Sequence, residues 1–113
     1  MTQIWHNLRC RKSRETLAIL HEKNEEVEVV LYLETPPTKE ELSEVIKKLG
    51  IRPEELIRKG ETLFKEKFKG RNFSDQEWID ILAANPKLIE RPVVIKGGKA
   101  AIGRPPENVL EIL

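Results

Sequence analysis

"TQIWHNLRCRKSRETLAIL" (residues 2–20) joins a strand signal to a helix signal through a short loop, and it contains the only cysteine of the chain, Cys10. "TQIW" predicts a short strand that ends at the loop-favouring pair His6-Asn7. From Ser13 to Lys23 the apolar residues recur at helical spacing. The residues that this pattern turns inward are Thr16, Leu17, Ile19 and Leu20. The stretch therefore predicts a strand, a turn and a helix, with Cys10 at the turn.

Downstream of this stretch, the chain shows a second strand and a second helix. Residues 27–33, "VEVVLYL", are rich in β-branched residues and predict a strand. Pro36-Pro37 end this strand. Thr38 with Glu41 fits a capping box, and the helix that follows is expected to stop at Gly50. The apolar stripe of this helix consists of Leu42, Val45, Ile46 and Leu49.

The second half of the chain predicts further helices and a hairpin. "PEELIRKG" (53–60) is a short helix with a proline in its first turn. Ser74 with Glu77 forms another capping box, and Gly97-Gly98 joins two short strands within residues 91–103 as a hairpin. "PPENVLEIL" (105–113) predicts a last helix. The residues expected to face inward are Trp78, Ile81 and Leu82 after the capping box, and Val109, Leu110 and Leu113 in the last helix.

The order of these elements predicts the fold class. A β-α-β unit requires a parallel strand pair, and the hairpin adds an antiparallel pair. These parts make up an α/β, thioredoxin-like fold with a mixed four-stranded sheet, in which the middle helices form an insertion. A length of 113 residues with 39% hydrophobic content suits one small core, so we expect a single domain over residues 1–113.

Composition excludes several classes of protein. The chain has 20 basic and 19 acidic residues, and this balance argues against a nucleic-acid-binding protein. No apolar run approaches the roughly 18–20 residues of a membrane span, and the N-terminus has no apolar segment of the signal-peptide type. One cysteine cannot form an internal disulfide. We therefore expect a cytoplasmic protein. We further expect, independently of composition, a monomer with no metal site and no bound cofactor.

The chemistry of the chain centres on Cys10. At a strand-to-helix turn a thiol faces the free N–H groups of the helix start, which stabilise a thiolate and can bind an anion. The thiol pKa at such positions falls from about 8.5 to between about 3.5 and 7.5. The residues that could add to this effect are His6 and the cations Arg9, Arg11, Lys12 and Arg14. The alternative is an inert buried thiol beside a solvated basic face.

Ser13 occupies the place that the second cysteine has in a C-x-x-C motif. Its hydroxyl can hydrogen-bond a thiolate, but it cannot form a disulfide. Any adduct on Cys10 must therefore be resolved by a thiol from outside the chain.

Three arginines at the edges of predicted elements are candidate anion ligands: Arg58, Arg91 and Arg104. Arginine binds tetrahedral oxyanions in a bidentate manner, so three of them around one thiolate would form a specific site. Arg91 precedes Pro92, and a cis peptide bond is possible there. Spacing does not show whether the three converge, and each arginine taken alone is more typical of a surface residue than of a ligand.

Five segments, which together cover almost the whole length of the chain, resemble the glutaredoxin-coupled arsenate reductase family. They are "WHNLRCRKSRETL", "LYLETPPTKEEL", "LGIRPEELIRKGE", "SDQEWIDILAANPKLIERPVVI" and "IGRPPENVLEIL". The resemblance implies a thioredoxin-like fold with a helical insertion. It also implies that a thiolate attacks arsenate, and that glutathione as co-substrate and glutaredoxin as partner resolve the adduct and release arsenite.

The resemblance also assigns roles to individual residues. Cys10 matches the family's nucleophile, and Pro92 matches its cis-proline. Arg58, Arg91 and Arg104 match the oxyanion-binding arginines, and His6 and Ser13 match residues that tune the thiolate. Two other functions stay open: a glutathione-linked thiol oxidoreductase with another substrate, and a Spx-type regulator that binds RNA polymerase. Ser13 argues against the regulator, because that class senses oxidation through a C-x-x-C pair.

Overall fold

The computed structural model describes residues 1–113, which divide along the chain into two units. The first unit contains Met1–Thr35 and Arg91–Leu113, and the second contains Pro36–Glu90. The sequence expectation of one domain over residues 1–113 stays a prediction. No helix combines the length and the apolar character that a membrane-spanning segment needs.

The first unit is built on a four-stranded mixed sheet. Its strands are β1 (Thr2–Trp5), β2 (Val27–Val30), β3 (Val93–Lys96) and β4 (Lys99–Ile102), in the order β2-β1-β3-β4. β1 pairs in parallel with β2 and antiparallel with β3, and β3 pairs antiparallel with β4. This sheet confirms the predicted thioredoxin-like α/β class.

Helix α1 (Arg11–Glu22) begins two residues before the apolar pattern that starts at Ser13, and Cys10 is its N-cap residue. Thr16 and Leu20 are buried as expected, and Ser13 is buried too. The core of the unit consists of the fully buried Ile4, Leu20, Val94 and Val109, and Leu17 and Ile19 pack against it. α1 thus packs against the sheet through this core, and Cys10 lies in the loop between β1 and α1.

Two predicted elements of the first unit differ in the structure. β2 ends at Val30 rather than Leu33, because Leu31 O accepts hydrogen bonds from Glu34 N and Thr35 N at 2.9 Å and closes a turn. The last helix is a 3₁₀ helix, Pro106–Ile112. Side chains three residues apart eclipse in such a helix, so Pro106, Val109 and Ile112 share its inner face.

The prediction that Leu110 faces inward is therefore wrong. Leu110 lies off the shared face and is 43% exposed, whereas Leu113 is half-buried and packs against the core.

The second unit is helical. It contains α2 (Lys39–Leu49), α3 (Thr62–Lys67), α4 (Asp75–Ala84) and the short 3₁₀ segments Pro53–Leu56 and Pro86–Leu88. Both capping boxes are confirmed, since Thr38 caps α2 and Ser74 caps α4 with reciprocal hydrogen bonds. Gly50 ends α2 with φ +69°, a conformation that glycine adopts without steric cost.

Within α4 the buried stripe is Trp78, Ile79 and Leu82, so Ile79 replaces the predicted Ile81. The Trp78 ring contacts Phe73 edge-on, with centroids 4.7 Å apart, and stacks against Phe64 at 6.4 Å. Ile81 is half-buried at the edge of this stripe.

Candidate functional site

The loop between β1 and α1 holds Cys10 at the helix start through a series of local hydrogen bonds. Cys10 N donates to Asn7 O at 3.0 Å, and Asn7 Oδ1 accepts from Arg9 N at 3.0 Å. Arg14 reaches back from α1, and its Nη1 donates to Leu8 O at 2.9 Å. The thiol is mostly shielded, since Cys10 is 9% exposed. The first turn of α1 offers it free backbone N–H groups.

Two arginines from the C-terminal part of the first unit meet Cys10. Arg104 Nη2 lies 3.7 Å from Cys10 Sγ, and Arg104 Nε donates to the Arg91 carbonyl oxygen at 2.6 Å. The Arg91 guanidinium also hydrogen-bonds the sulfur. The structure therefore brings together Cys10, Arg91 and Arg104, which sequence spacing alone could not show.

Each of these arginines precedes a proline. The Arg91–Pro92 and Arg104–Pro105 peptide bonds are both cis. Gly103 N, next to Arg104, donates to Pro92 O at 2.9 Å, so the segments that carry the two arginines are bonded to each other.

The pKa of Cys10 is lowered from its ordinary value. Burial alone would raise it, but the Arg91 hydrogen bond, the backbone N–H of Ser13 and the charges of Arg91 and Arg104 outweigh burial. A lowered pKa increases the fraction of thiolate near neutral pH, and the thiolate is the nucleophilic form. The geometry favours an activated thiol over an inert buried one.

Ser13 meets the sulfur through its backbone rather than its side chain. Its hydroxyl accepts from Asn7 N at 3.1 Å and hydrogen-bonds His6 Nδ1. The pKa of His6 is lowered by burial and by the charge of Arg14, which favours the neutral ring. His6 and Ser13 thus fix the loop that carries Cys10, and the Ser13 amide supplies the contact with the sulfur.

Arg58 belongs to the second unit. Its backbone N donates to Leu88 O at 2.7 Å, and its Nη1 forms an ion pair with Glu61 Oε2 at 2.8 Å. Its predicted role as an oxyanion ligand stays a prediction.

Tyr32 is a site residue that the sequence analysis missed. It is fully buried, it lies in the turn after β2, and its hydroxyl contributes to raising the pKa of Arg91. Burial alone would lower that pKa, but the hydrogen bond to Cys10 and the neighbouring Tyr32 raise it. The only signal in the sequence was one hydroxyl within the apolar run "VVLYL".

Cys10, Arg91 and Arg104 together place a reactive thiolate beside two guanidinium groups, and this arrangement can bind and attack an oxyanion. No group of three or more His, Cys, Asp or Glu side chains is placed to hold a metal ion.

Comparison with known proteins gives matches along nearly the whole chain. The model of the ArsC family matches residues 5–112. "Uncharacterized protein YfgD" of Escherichia coli K12 is 50% identical, covering 98% of this chain and 95% of the relative. "Arsenate reductase" of Haemophilus influenzae is 44% identical, covering 97% of both chains. The solved structure "Arsenate reductase from Vibrio cholerae" has a TM-score of 0.95 at 46% identity, covering 99% of this chain and 97% of that one.

Proposed function

Because the chain belongs to the ArsC family, we propose that it is an arsenate reductase that works through the single thiolate of Cys10. The observation that carries this proposal is the contact of Cys10 Sγ with Arg104 Nη2 at 3.7 Å, together with the Arg91 hydrogen bond to the same sulfur. A thiolate between two guanidinium groups suits a tetrahedral oxyanion as substrate.

The first step forms a bond between sulfur and arsenic. The Cys10 thiolate attacks arsenate, and one arsenate oxygen leaves as water after taking up protons. Arg91 and Arg104 neutralise the oxyanion's charge, which would otherwise repel the thiolate. Arg58 is the third arginine that we assign to this role, from its match to the family pattern.

The electrons come from two thiols outside the chain. Glutathione condenses with the Cys10–arsenic adduct and releases a second water. A thiol of glutaredoxin then attacks the glutathione sulfur, so that a mixed disulfide forms and arsenic passes from +5 to +3. Water releases arsenite and restores the Cys10 thiol. Two thiols are thus oxidised to one disulfide for each arsenate reduced, which balances the two electrons. Ser13 in place of a second cysteine supports this dependence on external thiols.

The test is NADPH oxidation in an assay that contains arsenate, glutathione, glutaredoxin and glutathione reductase. We expect oxidation to require arsenate and to disappear in Cys10→Ser. Omitting glutaredoxin or glutathione separately should stop turnover, and this arm tests the redox partners.

Equal rates for the wild type and Cys10→Ser would contradict the proposal. A glutathione-linked oxidoreductase of another substrate, or a regulator that binds RNA polymerase, would show no arsenate-dependent oxidation at all.

A further inference from the structure

A cavity of 310 Å³ opens beside the loop that carries Cys10. Its apolar wall is formed by Leu8, Leu31 and Leu33, and its charged residues are Arg9 and Glu34. Leu8 is 62% exposed and Leu33 is 45% exposed, so two leucines of the same cavity present apolar surface to solvent. All five belong to the β1–α1 loop or to the turn after β2, so they lie on one unit.

Arg9 and Glu34 bear opposite charges on the same cavity, yet their side chains form no ion pair with each other or with any other residue. Two neighbouring arginines are already engaged, since Arg11 pairs with Glu15 at 3.0 Å and Arg14 binds Leu8 O, and neither lines the cavity. The cavity is therefore lined by one unpaired cation, one unpaired anion and three leucines.

This pattern suits a zwitterion attached to a short aliphatic chain. An α-amino acid end carries a carboxylate and an ammonium group on one carbon. A carboxylate can bind Arg9 in a bidentate manner, the ammonium can pair with Glu34, and methylene groups can pack against the leucines. The γ-glutamyl end of glutathione has this composition, and the thiol of glutathione belongs to the cysteine residue next to it.

We propose that the cavity binds the γ-glutamyl end of the resolving thiol and so directs that thiol to the adduct on Cys10. This inference rests on the proposed function, because it assumes that a glutathione-type thiol is the co-substrate. Arg9 directly precedes Cys10, which places the cavity within one residue of the reacting sulfur along the chain.

Attraction of arsenate is the competing use for the Arg9 charge. The cations that act on the Cys10 sulfur are Arg91 and Arg104, and Arg9 is not one of them. Arg9 instead lines the cavity, as does Glu34. An acidic residue there would repel a free oxyanion but would attract an ammonium group.

The test is NMR titration of the protein with S-methylglutathione, which cannot react with Cys10. We expect shifts of the amide signals of Leu8, Arg9 and Glu34. Arg9→Gln and Glu34→Gln should each weaken binding about tenfold, since each loses one charge-assisted contact. S-methyl-cysteinylglycine keeps the glycine carboxylate but lacks the γ-glutamyl end, and it should not shift these signals. Arg11→Gln and Glu22→Gln are matched controls that change charge on the exposed face of α1 and should bind normally.

Absence of shifts, equal binding of the two ligands, or unchanged affinity in Arg9→Gln and Glu34→Gln would overturn the inference. In the coupled assay Arg9→Gln should raise the KM for glutathione and leave the KM for arsenate unchanged. Lack of arsenate reduction with normal NMR binding would instead refute the proposed function alone, so the two failures are distinguishable.

Discussion

At the scale of single residues, the ionisation of Cys10 results from opposing effects. Burial disfavours the thiolate, whereas Arg91, the Ser13 amide and Arg104 favour it and prevail. We expect the rate of iodoacetamide alkylation to rise with pH around a midpoint below about 8.5, the ordinary value for a cysteine. The rate rises with pH because the thiol loses its proton to become the reactive form.

Arg91→Ala removes the strongest of the favourable contacts with the sulfur. The midpoint should then move upward by about one pH unit, which slows alkylation near neutral pH up to roughly tenfold. Arg11→Ala is the control, since Arg11 is exposed and pairs with Glu15 rather than with the sulfur. An Arg91→Ala midpoint equal to that of the wild type would show that Arg91 does not act on the thiol.

Gly103 is a second residue whose role the structure makes testable. A Cβ atom at this position would lie 2.5 Å from Thr16 Oγ1 and 2.8 Å from Pro92 Cγ. Gly103→Ala should therefore lower the free energy of unfolding by about 1–3 kcal/mol, as overpacking of a core does. The measurement is denaturation by urea.

Gly98→Ala is the matched control for Gly103, because nothing lies within 4 Å of its added Cβ. Thr16→Ala should recover part of the loss in the Gly103→Ala background, since it removes the nearest atom. Equal stability of Gly103→Ala and Gly98→Ala would contradict the close approach.

At the scale of elements, α2 is stabilised at its start by a reciprocal pair of hydrogen bonds. Thr38 Oγ1 accepts from Glu41 N at 3.1 Å, and Glu41 Oε1 accepts from Thr38 N at 2.9 Å. Thr38→Ala should lower the free energy of unfolding by about 1 kcal/mol in urea denaturation. Thr35→Ala is the control, since Thr35 is exposed and caps no helix. Similar stability in the two variants would mean that the cap contributes nothing.

Elements whose signals are local could be predicted from the sequence. The two capping boxes, the stop at Gly50 and the Gly97-Gly98 turn each depend on residues that are adjacent in the chain. The end of β2 and the type of the last helix depend on the rest of the fold. "LYL" has strand-like composition, yet Leu31 O accepts two turn hydrogen bonds instead of continuing the sheet. Pro106–Ile112 has a pattern that an α-helix would share, and in the structure it is a 3₁₀ helix that buries Pro106 and Val109, three residues apart.

At the scale of the whole molecule, Glu25 ties together segments that are distant in sequence. It accepts a hydrogen bond from Thr2, at the start of β1, and pairs with Lys96, at the end of β3, at 3.0 Å. Hydrogen bonds from Thr2 and Lys96 lower the pKa of Glu25 despite the opposing effect of burial.

A lowered folded-state pKa means that the stabilisation is present above the unfolded value of about 4.3 and is lost as pH falls through the folded value. The stability difference between the wild type and Glu25→Gln should therefore shrink from pH 6 to pH 3 in urea denaturation. Glu26→Gln, an exposed neighbour, should show no such trend. A constant difference for Glu25→Gln would exclude the carboxylate as its cause.

The candidate site combines residues that are adjacent in the sequence with residues that are far apart in it. Cys10 at the start of α1 could be predicted, because strand, loop and helix signals are contiguous around it. The convergence of Arg91 and Arg104 on Cys10 could not be predicted from spacing, since the contact between Cys10 and Arg104 joins residues 94 positions apart. Their pairing was expected only from the family resemblance. Tyr32 was missed because the sequence predicts a strand at its position. In the structure it lies in a turn, and from there it acts on Arg91.

The same separation of 94 positions has a consequence for biosynthesis. The ribosome makes Cys10 before Arg104, at roughly 5–20 residues per second, so the delay between the two is on the order of ten seconds. During that delay the nascent chain carries its thiol without the guanidinium groups that promote ionisation. Full reactivity toward oxidants and electrophiles therefore arises only after Arg104 has been added and has reached Cys10.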